Sequence, residues 1–538
     1  MIHDLVLIGL VVLFAVIILV MIGQKIGVAY PIFLVISGLI ISLVPGIPTI
    51  EVEPDLVFLI FLPPILFEAA WFTSWQDFHK WRKEIFSMAF GLVFITSLVV
   101  GYLSTWLIPG FTLALGFLLG GVNSPPDAVA ATSVLKSIKV PKKINALLEG
   151  ESLINDASSL IVLKFALAAV ISGHFILGEA IKDFFMMAVG GTAIGVGLGY
   201  VFGFLLKYIP SNSSIDTIIT LLVPYVMYLT AEHFEFSGVL AVVAGGLMMS
   251  YYSHYFLSHT SRIQSVSVWS VVIFMMNTII FVLIGLELPV VVKGMSEYTI
   301  TQGIFYSIII GGAIIGTRLV YCYSLAYLPW LISKKYRSTH PIPDWKEPFI
   351  ISFAAMRGVV SLAAALSIPV LMPSGELFPH RNIILLVTFV IILITLVGQG
   401  LLLAPILKLL KVKDVQLGMP KEKQEVMLKR HLKGLALKHL VENYEDEVES
   451  NALVGHQKTK LENDLMLLVD NTECLATEEA YDFGEALQEN KVIMRQLIHV
   501  QRRELHQLKK QMLYDDAVLR IAENQLDFDE VKITGLSH

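Results

Sequence analysis

The stretch Gly120-Gly121-Val122-Asn123-Ser124-Pro125-Pro126-Asp127 sits near the middle of an apolar run, 111–138, long enough to be a membrane-crossing helix. Two consecutive prolines remove two backbone donors and crowd the preceding turn, so a helix entering this stretch is predicted to break within it. Working outward, thirteen such runs follow one another from 4–22 to 382–409. The twelfth, 348–372, carries Met356-Arg357-Gly358 near its middle and Pro369 further on. Runs five and twelve are seven apart, an odd number, so they cross the membrane in opposite directions. Interrupted helices at matching places in antiparallel halves point to an inverted-repeat secondary transporter. The expected fold class is an all-α polytopic membrane protein with about 13 transmembrane helices, inverted repeats and two crossed broken helices.

Composition supports this reading. Of 538 residues, 55% are hydrophobic and 16% charged, with a mean hydropathy of +0.71, whereas soluble domains carry roughly a quarter charged residues. Residues 411–538 hold 18 Lys+Arg and 24 Asp+Glu, half of the 84 charged side chains (39 plus 45), and so carry the whole net charge of −6. Residues 1–410 are therefore expected to form a transmembrane domain and 411–538 a cytoplasmic helical tail. No basic surface invites nucleic acid. Cys322 and Cys474 are too far apart in the chain for a disulfide framework or thiolate metal cluster. Met1-Ile2-His3-Asp4 lacks a basic leader, so the first run is read as a retained span. With the N-terminus outside, basic residues such as Lys80, Arg82, Lys83, Lys142, Lys143, Lys334 and Lys335 all fall in inner loops. The positive-inside rule then puts the tail in the cytoplasm, beneath the plasma membrane.

A charge at the bilayer centre costs roughly 2.5–3.5 kcal/mol even on lenient scales, so intramembrane ionisable groups need a reason. Asp156 lies about nine residues into the sixth run, roughly 14 Å deep at 1.5 Å per residue, and Arg357 lies equally deep from the same side. Asp127 follows the proline break. Glu68, in Leu62-Pro63-Pro64-Ile65-Leu66-Phe67-Glu68, is shallower. In Glu149-Gly150-Glu151-Ser152-Leu153-Ile154-Asn155-Asp156, residues four apart share a helix face. One stripe, Glu151 and Asn155, offers a carboxylate to a buried cation such as Arg357. The next, Ser152 and Asp156, offers the hard oxygen ligands that a small cation prefers. Glu151 and Arg357 are accordingly read as a structural ion pair. Asp127 serves either as a cap on the following half-helix or as an ion ligand. Glu68 is either a third oxygen ligand or a partner to unwound backbone. Lys164 is available as a partial partner for Asp156, Glu232 and Glu235 are read as solvated, Glu287 as an interface group, and Asn277 as an interhelical hydrogen bond.

Four stretches in order, Asn123–Thr132, Gly150–Asp156, Ser237–Val242 and Met356–Leu362, resemble the monovalent cation/proton antiporter family that contains the sodium/proton exchangers, in its bacterial branch. The resemblance covers residues 1 to about 410, and Gln501 through Glu530 resembles tails of bacterial members. It implies thirteen spans, a homodimer, and a core that moves like an elevator against a dimer-forming scaffold. It also implies Asp156 as the titrating, cation-binding carboxylate with Asn155 beside it, and Glu151 paired with Arg357. The candidate ion-binding and proton-coupling set is Asp156, Asp127, Ser152, Glu68 and Asn155, with Na+ held at Asp156, Ser152 and Glu68. One departure stands out. Where the family commonly has threonine-aspartate-proline, this chain has Pro126-Asp127-Ala128, so Asn123, Ser124 or a backbone carbonyl must replace the threonine oxygen.

The expected function is exchange of Na+ (alternatively K+ or Li+) for H+, electroneutral because Asn155 stands where electrogenic relatives carry a second aspartate. The expected partners are these ions, membrane lipids and a second copy; no cofactor is expected. A phosphate loop for an ATP-driven pump is missing from the sequence. Gly150-Glu151-Ser152 fails as a nucleophile elbow because residue 154 is Ile, which counts against an intramembrane hydrolase. A cation channel would share the polar residues without coupling to protons. In the tail, Gln424–Leu440 is predicted as an amphipathic helix lying on the inner leaflet, and 491–530 as one or two amphipathic helices.

Overall fold

The computed structural model describes residues 14–15, 17–23, 25, 30–42, 54–127, 131–132, 135, 140–174, 177–209, 212–286, 298–339, 342–410, 421–469 and 483–534. Among them the chain is helical throughout, with only two isolated β-bridges. The helices used below are α1 (Tyr30–Ser42), α2 (Pro54–Phe72), α3 (Trp75–Lys80), α4 (Arg82–Leu107), α5 (Leu113–Asn123), α6 (Lys142–Ser172), α7 (Leu177–Tyr208), α8 (Ser213–His233), α9 (Gly238–Phe256), α10 (His259–Leu286), α11 (Ile300–Ile332), α12 (Lys346–Phe353), α13 (Val359–Leu366) and α14 (Arg381–Leu410). The tail adds α15 (Lys421–Asn443), α16 (Ala452–Val469), α17 (Phe483–Gln511) and α18 (Asp516–Thr534). Seven of the described helices are long and apolar enough to cross a membrane: α4, α6, α7, α8, α10, α11 and α14. Most of the first expected span, Glu287 and the helix start after Asp127 lie outside the described residues.

Two bodies are discernible. Helices α4, α5, α6, α11, α12, α13 and α14 pack among themselves, and α1, α2, α7, α8, α9 and α10 form the other group. Glycines permit the closest crossings. A Cβ on Gly38 of α1 would lie 2.5 Å from the Val282 carbonyl, and one on Gly285 of α10 would lie 2.4 Å from that of Val35. Such small-residue contacts are how membrane helices gain packing without a hydrophobic drive between them. A buried cluster including Leu34, Phe67, Leu153 and Met356 runs through the seam between the bodies, and a second, with Leu115, Leu163, Ile310 and Ile384, fills the first body.

Prolines are accommodated by borrowed donors. Pro64 inside α2 cannot donate to the Ile60 carbonyl, and the Tyr225 hydroxyl does so instead at 3.0 Å. Pro125 likewise leaves the Gly121 carbonyl without its helical donor, and Ser124 Oγ replaces it at 3.2 Å.

The tail helices have their own cores. Leu428 and Leu432 of α15 pack with Leu505, Leu508, Val518 and Leu519, and Leu440 packs with Val454, Ile493 and Leu497. The apolar side of α15 is therefore spent inside the tail, and Lys433 pairs with Asp464. The 491–530 region forms two helices, separated at Met512, whose φ of 53° lies in the left-handed region.

Candidate functional site

The site grows out of the interruption that the prolines impose. Helix α5 ends at Asn123, and α12 and α13 are separated by Ala354–Gly358. The two non-helical stretches meet: the Asp127 N–H donates to the Met356 carbonyl at 2.6 Å. A Cβ on Gly358 would fall 2.0 Å from Asp127 Oδ2, so only glycine lets the carboxylate approach this backbone. Arg357 closes the crossing. It is 1% exposed; its Nε donates to the Asn123 carbonyl at 3.2 Å, its Nη1 to the Ala355 carbonyl at 3.2 Å, and its backbone N–H to Thr395 Oγ1 at 3.0 Å. A cation at the carbonyl end of α5 satisfies an orphan acceptor and complements the helix dipole.

The expected Glu151–Arg357 pair is corrected by this arrangement. Glu151 binds Arg318 of α11 instead, through Nη1–Oε1 at 2.5 Å and Nη2–Oε2 at 2.6 Å, with both side chains 1% exposed. The planar guanidinium fork matches a carboxylate in this bidentate way, and Arg318 also donates to the Ile351 carbonyl at 3.3 Å. Arg318 lies within the long apolar helix α11, and position in the sequence does not show which way it faces.

Beside the crossing lies a cavity of about 560 Å³, whose lining includes Glu68, Asp127, Ser152, Asp156, Tyr30 and Ser361. Four of the five expected ion-binding residues thus converge on one space, although they come from α2, the crossover and α6. Asp156, 7% exposed, and Asp127 lie close enough to interact electrostatically. Tyr30 of α1 is hydrogen-bonded to Asn277 of α10, the expected interhelical bond. Asn155 behaves differently. Its amide donates to the Pro126 carbonyl at 2.9 Å, and it is not among the side chains lining the cavity. Asn155 therefore ties α6 to the crossover backbone, directly behind the residue that faces the cavity.

Neither expected side-chain substitute for the missing threonine reaches this space. Asn123 donates to the Leu119 carbonyl and to Thr388 Oγ1, and Ser124 is bonded to Gly121; neither lines the cavity, whereas Pro125 and Pro126 do. Lys164 is not a partner of Asp156 either. Its Nζ lies 3.0 Å from Glu232 Oε2, and Glu232 also accepts the Gly238 N–H, so Glu232 is paired and not merely solvated. No three-residue group of His, Cys, Asp and Glu fit for a transition or divalent metal occurs among the described residues. A cavity offering carboxylates and hydroxyls can instead replace the water shell of a small monovalent cation.

Residues 10–409 match the transmembrane sodium/hydrogen exchanger family. A sodium, potassium, lithium and rubidium/H+ antiporter of Bacillus pumilus is 32% identical over 473 residues, 86% of this chain and 68% of that protein. Its Bacillus subtilis counterpart is 33% identical over 376 residues, so the match spans 68% of this chain but little more than half, 56%, of that relative. The solved structure of the sodium proton antiporter MjNhaP1 from Methanocaldococcus jannaschii superposes with a TM-score of 0.60 at 18% identity, over 76% of this chain and 98% of that one, a likeness of fold. With a family match over most of its length, the chain belongs to the sodium/hydrogen exchangers, multi-pass membrane antiporters of monovalent cations and protons, and is a transporter and not an enzyme.

Proposed function

We propose that this protein exchanges Na+ for H+ at the Asp156 carboxylate, one for one. The observation that carries the reading is the convergence of Asp156, Ser152, Glu68 and Asp127 on one cavity at the crossing of two non-helical stretches. A cation and a proton compete for one buried carboxylate, because desolvation disfavours leaving its charge uncompensated. If only the loaded forms cross, that competition is sufficient for antiport. Ser152 and Glu68 supply further oxygens to the cation. Asn155 holds the Pro126 carbonyl, and with it the crossover, in register with Asp156. Glu151 is neutralised by Arg318 and takes no part in proton exchange.

The reading extends to the whole molecule. Residues 1–410 form thirteen spans in inverted repeats with two crossed broken helices, the N-terminus outside. Residues 411–538 form the cytoplasmic tail, and two copies associate in the plasma membrane. The separate packing of the two helical bodies supports a core that slides against a scaffold. The ions named for the two Bacillus relatives make K+ and Li+ the competing substrates. Purified protein in liposomes loaded with a pH-sensitive dye tests the reading. Na+ addition should drive proton movement in the wild type; no cation-driven proton movement with Na+, K+ or Li+ would overturn it, and a response to K+ alone would overturn the Na+ assignment.

A further inference from the structure

Helix α13 contributes a serine to the cavity wall that none of the assignments above uses. Ser361 lines the same space as Asp156, Ser152 and Asp127, yet it is 1% exposed and its Oγ has no hydrogen-bond partner. A buried serine in a helix ordinarily donates back to a carbonyl three or four residues earlier. Ser352 donates to Pro348, Ser158 to Asn155 and Ser159 to Asp156 in this way. Ser361 forgoes that bond. Leaving a buried hydroxyl unmade is costly, of order 1–3 kcal/mol, unless something outside the protein satisfies it. Other buried polar atoms without partners exist, among them Ser97 Oγ, the Gln399 amide and Asn155 Oδ1, but their residues do not line this cavity.

The crossover side of the cavity offers no substitute. Pro125 and Pro126 line the cavity and carry no side-chain oxygen, and Asn123 and Ser124 are turned into bonds elsewhere. The stretch 123–127 therefore contributes the Asp127 carboxylate but no hydroxyl, and Thr132 beyond it also lines the cavity. Gly358, Val360, Ser361 and Ala363 are the lining residues on the α13 side, and among them only Ser361 bears a side-chain oxygen. We infer that Ser361 Oγ is a ligand of the transported monovalent cation, the neutral oxygen that sets how well a dehydrated ion fits beside Asp156. A hydroxyl adds coordination without adding charge, so it tunes affinity and selectivity and leaves the stoichiometry untouched. This inference rests on the antiport reading of the same cavity.

The test uses full-length protein in proteoliposomes and in detergent. Ser361→Ala should raise the half-saturating Na+ concentration by about tenfold, the worth of one lost oxygen contact, and change the ratio of Na+ to K+ and Li+ half-saturation. Its cation-free thermal midpoint should stay at or above that of the wild type, because no protein bond is lost, while the rise in midpoint on adding Na+ should shrink. Ser361→Thr, which keeps the hydroxyl, should restore the Na+-dependent rise. Unchanged half-saturation and selectivity in Ser361→Ala would overturn the inference and leave Ser361 as the holder of a structural water. A cation-free midpoint that falls along with activity, or a variant that fails to fold, would overturn it as well, by showing a structural bond. The wild type separates the two readings: if it moves no protons with cations, the antiport reading fails, whatever Ser361→Ala does relative to it.

Discussion

Glu151 and Arg318 face one another in a bidentate ion pair, 2.5 and 2.6 Å across its two bonds and almost fully buried. The pair joins α6, which carries Asp156, to α11. Removing one member leaves a buried charge uncompensated, which in comparable sites costs roughly 3–5 kcal/mol. Arg318→Ala and Glu151→Gln should each lower the thermal midpoint and the yield of folded protein, and Arg318→Lys should rescue poorly because a point charge cannot reproduce the fork. The double variant Glu151→Gln with Arg318→Met should recover part of the loss. If both single variants melt like the wild type while transport disappears, the pair belongs to the transport machinery.

Arg357 hydrogen-bonds to backbone carbonyls and not to Glu151, so its replacement has a different signature. Arg357→Ala frees the Asn123 and Ala355 carbonyls and the contact that fixes the crossing. Hydrogen exchange should therefore rise around 119–127 and 354–361, with α11 near Arg318 unaffected. Equal deprotection at α11 would mean that the two arginines form one coupled unit.

Asp156→Asn should abolish cation-driven proton movement while the protein folds and melts normally, since asparagine preserves volume but can neither release a proton nor neutralise a cation. Exchange by a well-folded Asp156→Asn protein at more than a few per cent of the wild-type rate would place the exchanged proton on another group.

The parts of this site that were legible in the sequence are those dictated covalently or by helical spacing. Pro125-Pro126 had to end a helix wherever it lay, and α5 stops at Asn123. Ser152 and Asp156 share a stripe because they are four residues apart, and both reach the cavity. The partner of Glu151 was not legible, because Arg318 and Arg357 are both intramembrane bases and the choice depends on how α11 is rotated about its axis. Lys164 and Glu232 meet only after α6 and the end of α8 are brought together in space. Ser361, within Val359-Val360-Ser361-Leu362, reads as one small residue in an apolar helix. Only a buried hydroxyl without a hydrogen-bond partner, on a residue that lines the cavity, distinguishes it from packing.

The tail's attachment should weaken in acid. Arg262 of α10 and Arg502 of α17 share Asp527 of α18, Arg502 also holds Glu530, and His259 Nδ1 lies 3.3 Å from Glu530. Arg520 donates to the Thr73 carbonyl and Gln76 to that of Lys509. The His506 ring rests 4.4 Å from that of His254 and faces Lys509, Lys510 and Glu523, with Arg262 beside His254 and Glu523. Burial, then Lys510 and Lys509, push His506 below its ordinary 6.5, so attachment favours the neutral ring and is lost progressively as pH falls below about 6.5. Burial raises Glu530, but His259 and Arg502 outweigh it and bring it to about 2, so its contribution holds above about 4.5 and fades below that. Both signs agree. Hydrogen exchange in α17 and α18 should be slow at pH 8 and faster at pH 5.5, after correction for intrinsic rates, and His506→Gln should flatten the change between them. Equal protection at the two pH values would show that the tail is held by its apolar contacts alone.

Charge balance is the remaining consequence of the geometry. Several carboxylates stand near the cavity, so more than one proton per cation is possible on inventory alone. Glu151 is removed from that inventory by Arg318, and Asn155 adds no charge. Asp127 is packed against Gly358 and its backbone N–H is committed to Met356, which makes it part of the crossing. Glu68 and Glu149 are the other carboxylates on the cavity wall, and Glu149 is exposed. With Asp156 alone changing its proton, one cation leaves for each proton that enters, and the cycle moves no net charge. In proteoliposomes, an imposed membrane potential should leave the equilibrium ion gradient where the pH gradient alone puts it. A gradient that tracks the potential in the wild type, and ceases to do so in Glu68→Gln, would identify Glu68 as a second proton carrier and replace the one-to-one exchange.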